Sequence, residues 1–456
     1  MLKIQNLLLT SSFFYLYLST SCFAKTPEFY EDTLRETTIN IITQSQAEKE
    51  EELKSPDIFS PNPLESNEPD PLLPNLPTFE IITGEKREKL SQELDQLNIE
   101  AAILLRAGET TKAFETWNRE LRLRRYLGQA EELAALTRVA EIAWNNNQKL
   151  QVQWIQKRLE ILQPEIQEQE LPSLELLQAL GSAFNTVRAK DLAVEVYQQV
   201  ISEARKQEDV VTLKQALTTK GEIYLSWLDY DNAAIAYEEL LEVQQQNNSE
   251  LSTNEEIINP SINSDFQKSN TLRKLAFIYN QAEKPLQAII AKERLVDFYQ
   301  GQQNIAEVSQ IKISIAKDYE ELGRLNLASQ YYQEAYSIAQ SIQQFLTASN
   351  ALENLAALYL SQDEKEAAIE IYKVQLLMDQ QFVNVYGMME TYDRMGQVYA
   401  QLKAYSLANS SFQKGLELSR QLGGYRESYF LQKLDKLNRN KNKQDLRRQT
   451  EKPGFS

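Results

Sequence analysis

The side chains that most often perform covalent chemistry are nearly missing from this sequence. None of its 456 residues is histidine, and its one cysteine, Cys22, sits in an apolar N-terminal stretch. A Ser-His-Asp triad, a Cys-His pair and a Cys/His zinc centre all need residues that the chain does not supply. Neither G-x₄-G-K-[ST] nor G-x-G-x-x-G occurs, and the 13 glycines are too dispersed for phosphate-cradling loops. Carboxylates, lysines, tyrosines and serines remain, and none forms a distinct catalytic constellation. The expectation is a non-catalytic protein with no cofactor. The chemistry left to it is recognition by ion pairs, amides and apolar contacts.

Two basic clusters stand out against a net charge of −17. The first is Arg119, Arg122, Arg124 and Arg125, on a helix expected from Lys112 to Tyr126. It reads either as an anion or phospholipid contact or as a charged face compensating nearby acids. The second is the tail 431–456, with eight Lys or Arg against three acidic residues. This tail reads as a frayed terminal helix or as an electrostatic contact with a membrane or acidic partner. The acidic balance argues against nucleic acid, whose binding requires cations to displace phosphate counterions.

The frame that must position these groups is visible as a repeat. Tyr392, Met395, Gly396 and Tyr399 are followed by Ala408, Phe412 and Gly415, giving Y-x₂-M-G-x₂-Y and then A-x₃-F-x₂-G. Small residues matching Gly396 recur at Ala356, Ala316, Ala276, Gly221 and Gly181, at intervals of 40 residues with one of 55. The column of Tyr399 contains Tyr359, Tyr319, Tyr279, Tyr224 and Phe184. The column of Ala408 contains Ala368, Ala328, Ala288, Ala233 and Ala193. The column of Phe412 contains Tyr372, Tyr332, Tyr237 and Tyr197, and Lys292 breaks it. Two weaker units precede these, one around Ala101, Gly108, Ala113 and Trp117, the other around Ala140, Ala143 and Val152. Each unit reads as two antiparallel helices whose small residues allow close approach, and the aromatics read as packing residues.

Over residues 85–430 this pattern resembles the tetratricopeptide repeat (TPR) family. The departures are a 40-residue unit where 34 is usual and the absence of the terminal proline. The pattern is most similar to longer-helix exported TPR proteins of the cyanobacterial type; a HEAT-like solenoid is the alternative fold. The resemblance implies an all-α, right-handed superhelical solenoid of about eight units whose first helices line a concave groove. It then places three lining residues per unit: Gln178, Ser182 and Asn185; Thr218, Glu222 and Leu225; Arg273, Phe277 and Asn280; Ile313, Lys317 and Glu320; Glu353, Ala357 and Leu360; Asp393, Gln397 and Ala400. Such amides can bond the backbone of an extended peptide, and Arg273 with Lys317 can hold a carboxylate. The same positions also suit a wide superhelix whose lining simply faces water. The Lys/Asn pairing by which some family members clamp a C-terminal carboxylate is not found.

Outside the repeats, residues 1–24 read as an export signal: Lys3, an apolar run from Leu7 to Leu18, and Ser19 to Ala24 as a small-residue cleavage site. A lipid on Cys22 or an uncleaved anchor are the other readings. Export would end in a periplasm or a thylakoid lumen. Residues 25–84 hold eight of the 13 prolines and read as an acidic disordered linker, with Leu72 to Pro77 as a possible recognition segment able to fold back on the solenoid. The Asn/Ser-rich stretch 247–270 reads as an insertion loop. The resulting function is a protein-binding scaffold for peptide or helical segments, in the role of an assembly or tethering factor; self-assembly into a structural scaffold is the alternative.

Overall fold

The computed structural model describes residues 61–66, 68–73, 81–168, 173–250 and 260–450. The chain divides into two compact units, 1–68 and 69–456. In the first, the described residues form one 3₁₀ turn, Pro63–Glu65, begun by Asn62, whose side chain accepts from the Leu64 N–H at 3.0 Å. The expected export signal lies outside the described residues.

The second unit is an all-α solenoid. Its described residues form seventeen helices, paired as α1 (Glu85–Arg106) with α2 (Thr110–Arg124), α3 (Gln129–Asn145) with α4 (Lys149–Gln167), and α5 (Leu174–Thr186) with α6 (Lys190–Lys206). Then come α7 (Val210–Ser226) with α8 (Tyr230–Glu250), α9 (Pro260–Gln281) with α10 (Pro285–Gly301), and α11 (Ile305–Glu321) with α12 (Leu325–Ser341). The last are α13 (Phe345–Ser361) with α14 (Lys365–Gln381), α15 (Val385–Gln401) with α16 (Tyr405–Gln421), and a closing α17 (Glu427–Thr450). The 40-residue period thus has a plain origin: two 17-residue helices and two three-residue turns. The middle residue of a turn is left-handed, as at Arg188, Leu228, Gln343, Asp363 and Lys403, or is the permissive Gly323. That conformation ends one helix and lets the next fold straight back.

The repeat columns explain the packing. Ala193, Ala233, Ala288, Ala328, Ala368 and Ala408 are fully buried. Gly396 meets the ring of Phe412 rather than Ala408: a Cβ added there would lie 2.6 Å from Phe412 Cε1. Gly181 and Gly221 face Tyr197 and Tyr237 in the same way. The tyrosines in the column of Tyr399 are half-buried, and two of them reach back to the preceding unit. Tyr279 Oη donates to Glu238 of α8 at 3.2 Å, and Tyr359 Oη lies 3.1 Å from Ser329 Oγ of α12.

Units one and two keep small or apolar residues at most column positions, as at Ala101, Ala113, Trp117 and Ala140, but add buried polar groups beside them. Glu120 is fully buried and receives Arg124 Nε at 3.1 Å and Arg138 Nη2 at 2.7 and 2.9 Å. Glu132 receives Arg158 at 2.6 and 3.1 Å, and Asn118 donates to Gln151 at 3.0 Å. Charged atoms without water require such full pairing.

Three expected boundaries shift. The insertion is partly helical: α8 runs on to Glu250 and α9 begins at Pro260, while 251–259 lie outside the described residues. The solenoid does not stop at 430, because α17 buries Phe430 and Leu437 against Phe412 and Leu416. Apolar positions three and seven apart survive among the tail's many charges and give α17 a buried stripe. Within the expected linker, 69–73 pack on the first helix pair. There Leu72 and Leu73 rest on Leu90, Leu94, Leu97, Leu123 and Leu127.

Candidate functional site: the first-helix face

First helices of neighbouring units touch one another, α3 with α5, α5 with α7 and α11 with α13. Their outer stripe is the expected lining, and most of it is open. Ser182, Thr218, Glu222, Arg273, Phe277, Asn280, Lys317 and Ala357 are exposed. Gln178, Asn185, Leu225, Glu320, Glu353, Leu360, Gln397 and Ala400 are half-buried. Two expected lining residues are not on the surface. Ile313 joins the core around Tyr332. Asp393 is buried, receiving Arg426 Nη2 at 2.9 Å and Tyr429 Oη at 2.9 and 3.1 Å. Ile313 clusters with Ala351 and Leu355 of α13, and Asp393 is held by Arg426 and Tyr429 at the start of α17, whereas Thr218 and Arg273 at the same offset stay exposed.

The charges along this face are largely spent on each other. Glu222 pairs with Lys274 at 3.0 Å and accepts from Tyr237 Oη at 2.6 Å. Arg273 donates to Glu307 at 2.7 Å and to Tyr299 Oη at 3.0 Å. Glu353 pairs with Arg394 at 3.1 Å, and Glu320 accepts from Tyr332 Oη. Arg273 and Lys317 therefore do not form a ready carboxylate clamp, since Arg273 is already engaged. A long Arg on a first helix can reach the start of the next, which spacing within one repeat does not reveal.

A largely apolar opening on this face lies elsewhere, between α3 and α5, with a volume of about 710 Å³. Ala130, Leu133, Ala134, Leu176 and Ala179 form its walls, with Thr137, Glu141, Ser173 and Ser182 among its polar lining. Of these only Ser182 was placed by the repeat phase. The α3 unit is too degenerate for its anchor to be counted from the 40-residue interval.

The basic cluster on α2 is compensated, and by a partner that sequence spacing did not single out. Arg119 donates to both oxygens of Asp70, at 2.7 and 2.9 Å, and Arg122 adds a bond at 3.4 Å. Arg124 turns instead to Asp95, Glu120 and Glu131. Asp70 is buried, and its hydrogen bond to Arg119 holds its carboxyl below the usual range against the opposing effect of burial. The Pro-Asp-Pro sequence around it was the available signal. A depressed carboxylate pKa contributes stability that is present above the unfolded value and is lost as pH falls through the folded one. Asp70 is thus expected to titrate below 3.8 in the intact chain, and to return toward the ordinary value in Arg119→Gln, as followed by its carboxyl carbon shift in NMR. An unchanged midpoint in the variant would contradict the pairing.

A profile for the tetratricopeptide repeat matches residues 214–247 and 310–342. Among solved structures, BtubC from P. vanneervenii is 17% identical, with 52% of this chain and 93% of BtubC covered at a TM-score of 0.32. The apo form of RapI is 11% identical, with coverage of 77% and 98% and a TM-score of 0.34. MamA is 19% identical, with coverage of 45% and 97% and a TM-score of 0.28. No curated protein sequence matches the chain.

Proposed function

We propose, on the premise that the chain is a tetratricopeptide-repeat protein, that it is a non-catalytic scaffold holding peptide or helical segments of other proteins on its first-helix face. Proteins built from this repeat are typically protein-interaction scaffolds. The observation that carries the proposal is the α3–α5 cleft: apolar walls flanked by polar and charged groups, among them Arg138, Glu141 and Glu175, suit an amphipathic segment laid into a groove. The neutralised ion-pair ladder beyond it leaves shape and amides, rather than free charge, to set specificity. In the same reading the chain is exported by residues 1–24, and the scaffold serves assembly or tethering in a periplasm or lumen. Among the described residues no helix is long and apolar enough to cross a membrane.

A second reading, self-assembly, draws on one specific feature. At the turns entering α13, α15 and α17, Leu346, Phe382, Val383, Tyr386 and Tyr425 are all exposed. Phe345 and Phe382 rings lie 4.7 Å apart, and Tyr386 and Tyr425 rings 5.9 Å apart, so these turns form apolar patches on one edge. Val383 does this with a φ of 55°, which is costly for a β-branched residue.

Crosslinked co-purification of the native chain tests both readings. Ala134→Glu with Ala179→Glu places two charges in the cleft without touching the core. A receptor is expected to lose at least tenfold of its captured partner while keeping its helicity. Capture that survives this pair, but yields only copies of the chain and disappears in Val383→Asp, would replace the receptor by the self-assembling scaffold.

A further inference from the structure

A short turn of the chain, Asp70 to Leu73, is seated on the first helix pair of the solenoid. Asp70, Leu72 and Leu73 are held by side chains: one carboxylate between Arg119 and Arg122, and two half-buried leucines on the shelf of α1 and α2. The backbone bond of this turn, Leu73 N–H to Asp70 O at 2.8 Å, is internal, as is Leu72 N–H to Asp70 Oδ1 at 2.9 Å. By contrast, Ile82 N–H reaches the Tyr126 carbonyl at 2.9 Å and so joins the fold by its backbone. A turn that satisfies its own backbone and presents three anchors is what an independent short peptide would present. Pro69 and Pro71 limit the freedom such a peptide would lose on docking. The arginine side is equally ligand-like: two guanidinium groups one helical turn apart, with Arg119 bidentate, recognise a carboxylate by geometry as well as charge.

We propose that the Arg119/Arg122 pair and the adjoining leucine shelf form a receptor site for an acidic dileucine peptide of a partner protein, Asp-Pro-Leu-Leu in chemistry, and that residues 69–73 are its built-in competitor. The site is separate from the α3–α5 cleft and uses none of its residues, so either reading can fail alone. A partner segment must displace the chain's own turn, which makes binding a competition rather than a free docking event. Because the competitor is tethered, only a well-matched or locally concentrated partner would win.

The test uses the full chain and a fluorescent, end-capped peptide of residues 69–73, read by anisotropy. Three chains are compared: wild type, a variant with Asp70→Ser, Leu72→Ser and Leu73→Ser, and that variant with Arg119→Glu added. The emptied variant is expected to bind at least tenfold more tightly than wild type, and Arg119→Glu to remove at least tenfold of that gain. Equal binding to wild type and the emptied variant, binding indifferent to Arg119→Glu, or no binding overturns the proposal. So does an emptied variant that fails to fold, since the turn would then be an integral part of the domain. Hydrogen exchange of wild type gives an independent reading: the Leu72 and Leu73 amides should exchange at least 100-fold faster than those of central α1, and equal protection would overturn exchangeability. A wild-type dimer that forms with concentration and dissolves on adding the peptide would seat a second copy's turn in the site, and would overturn a separate partner as its occupant.

Discussion

Replacing Lys292 by methionine is expected to destabilise the solenoid by about 3–5 kcal/mol, the cost of leaving one member of a buried ion pair without its partner. Lys292 of α10 donates to both oxygens of Asp318 of α11, at 2.8 and 2.6 Å, and both side chains are nearly excluded from water. Burial pushes the Asp318 carboxyl up even with the ammonium beside it, so the carboxylate depends on Lys292 to remain charged there. The chain's other repeats show what the pair replaces. The column of Lys292 is otherwise Tyr or Phe, and the column of Asp318 is Ala183, Ile223, Ile278, Leu358 and Val398. The double change Lys292→Tyr with Asp318→Leu therefore restores the chain's own apolar pattern. It is expected to lie within about 1 kcal/mol of wild type or to exceed it, since a buried pair seldom outperforms well-packed apolar residues. Urea unfolding followed by exchange protection in α10 and α11 would measure both variants. A double variant no more stable than Lys292→Met would show that the site cannot accept the repeat's apolar solution.

That pair also marks how far a single sequence can be read. Lys292 is visible as a break in an aromatic column, and the fold could be laid out from the columns because each recurring small or aromatic residue meets an equivalent neighbour. Asp318 breaks its own column in the next unit, but nothing in the spacing says that the two breaks touch. The same limit governs the candidate surface. The three offsets from each anchor find an exposed stripe where only one repeat decides exposure, as at Ser182, Phe277 and Lys317. They fail at Ile313 and Asp393, where a neighbouring unit covers the position. The α3–α5 cleft and the Asp70 clasp escape the repeat phase altogether. One belongs to a unit whose aromatic column is missing and whose buried Glu132 has no counterpart in the repeat, and the other comes from a proline-rich stretch whose composition argues for disorder. Composition averages over a segment, whereas docking can be decided by one carboxylate and two leucines.

The end of the solenoid depends on a residue that repeat counting placed at its edge. Phe430 is fully buried, and its ring fills the space beside Gly415 where a Cβ would not fit. It thereby repeats, between α16 and α17, the glycine–ring contact seen between Gly396 and Phe412. Arg426 fixes the approach of α17 by pairing with Glu390 and Asp393 and by lying 4.2 Å from the Tyr429 ring. Phe430→Ala is expected to cost about 3–5 kcal/mol, the range for deleting a buried aromatic. The loss should be local, because each unit of a solenoid is stabilised by its nearest neighbours. Exchange protection is expected to collapse in α16 and α17, weaken in α15, and remain as in wild type from α11 to α13. Uniform loss along the chain would mean that the units unfold as one cooperative body. The tail would then be a keystone of the whole array rather than the cap of its last unit, and substitutions at any one interface would have to be judged by their effect on all of them.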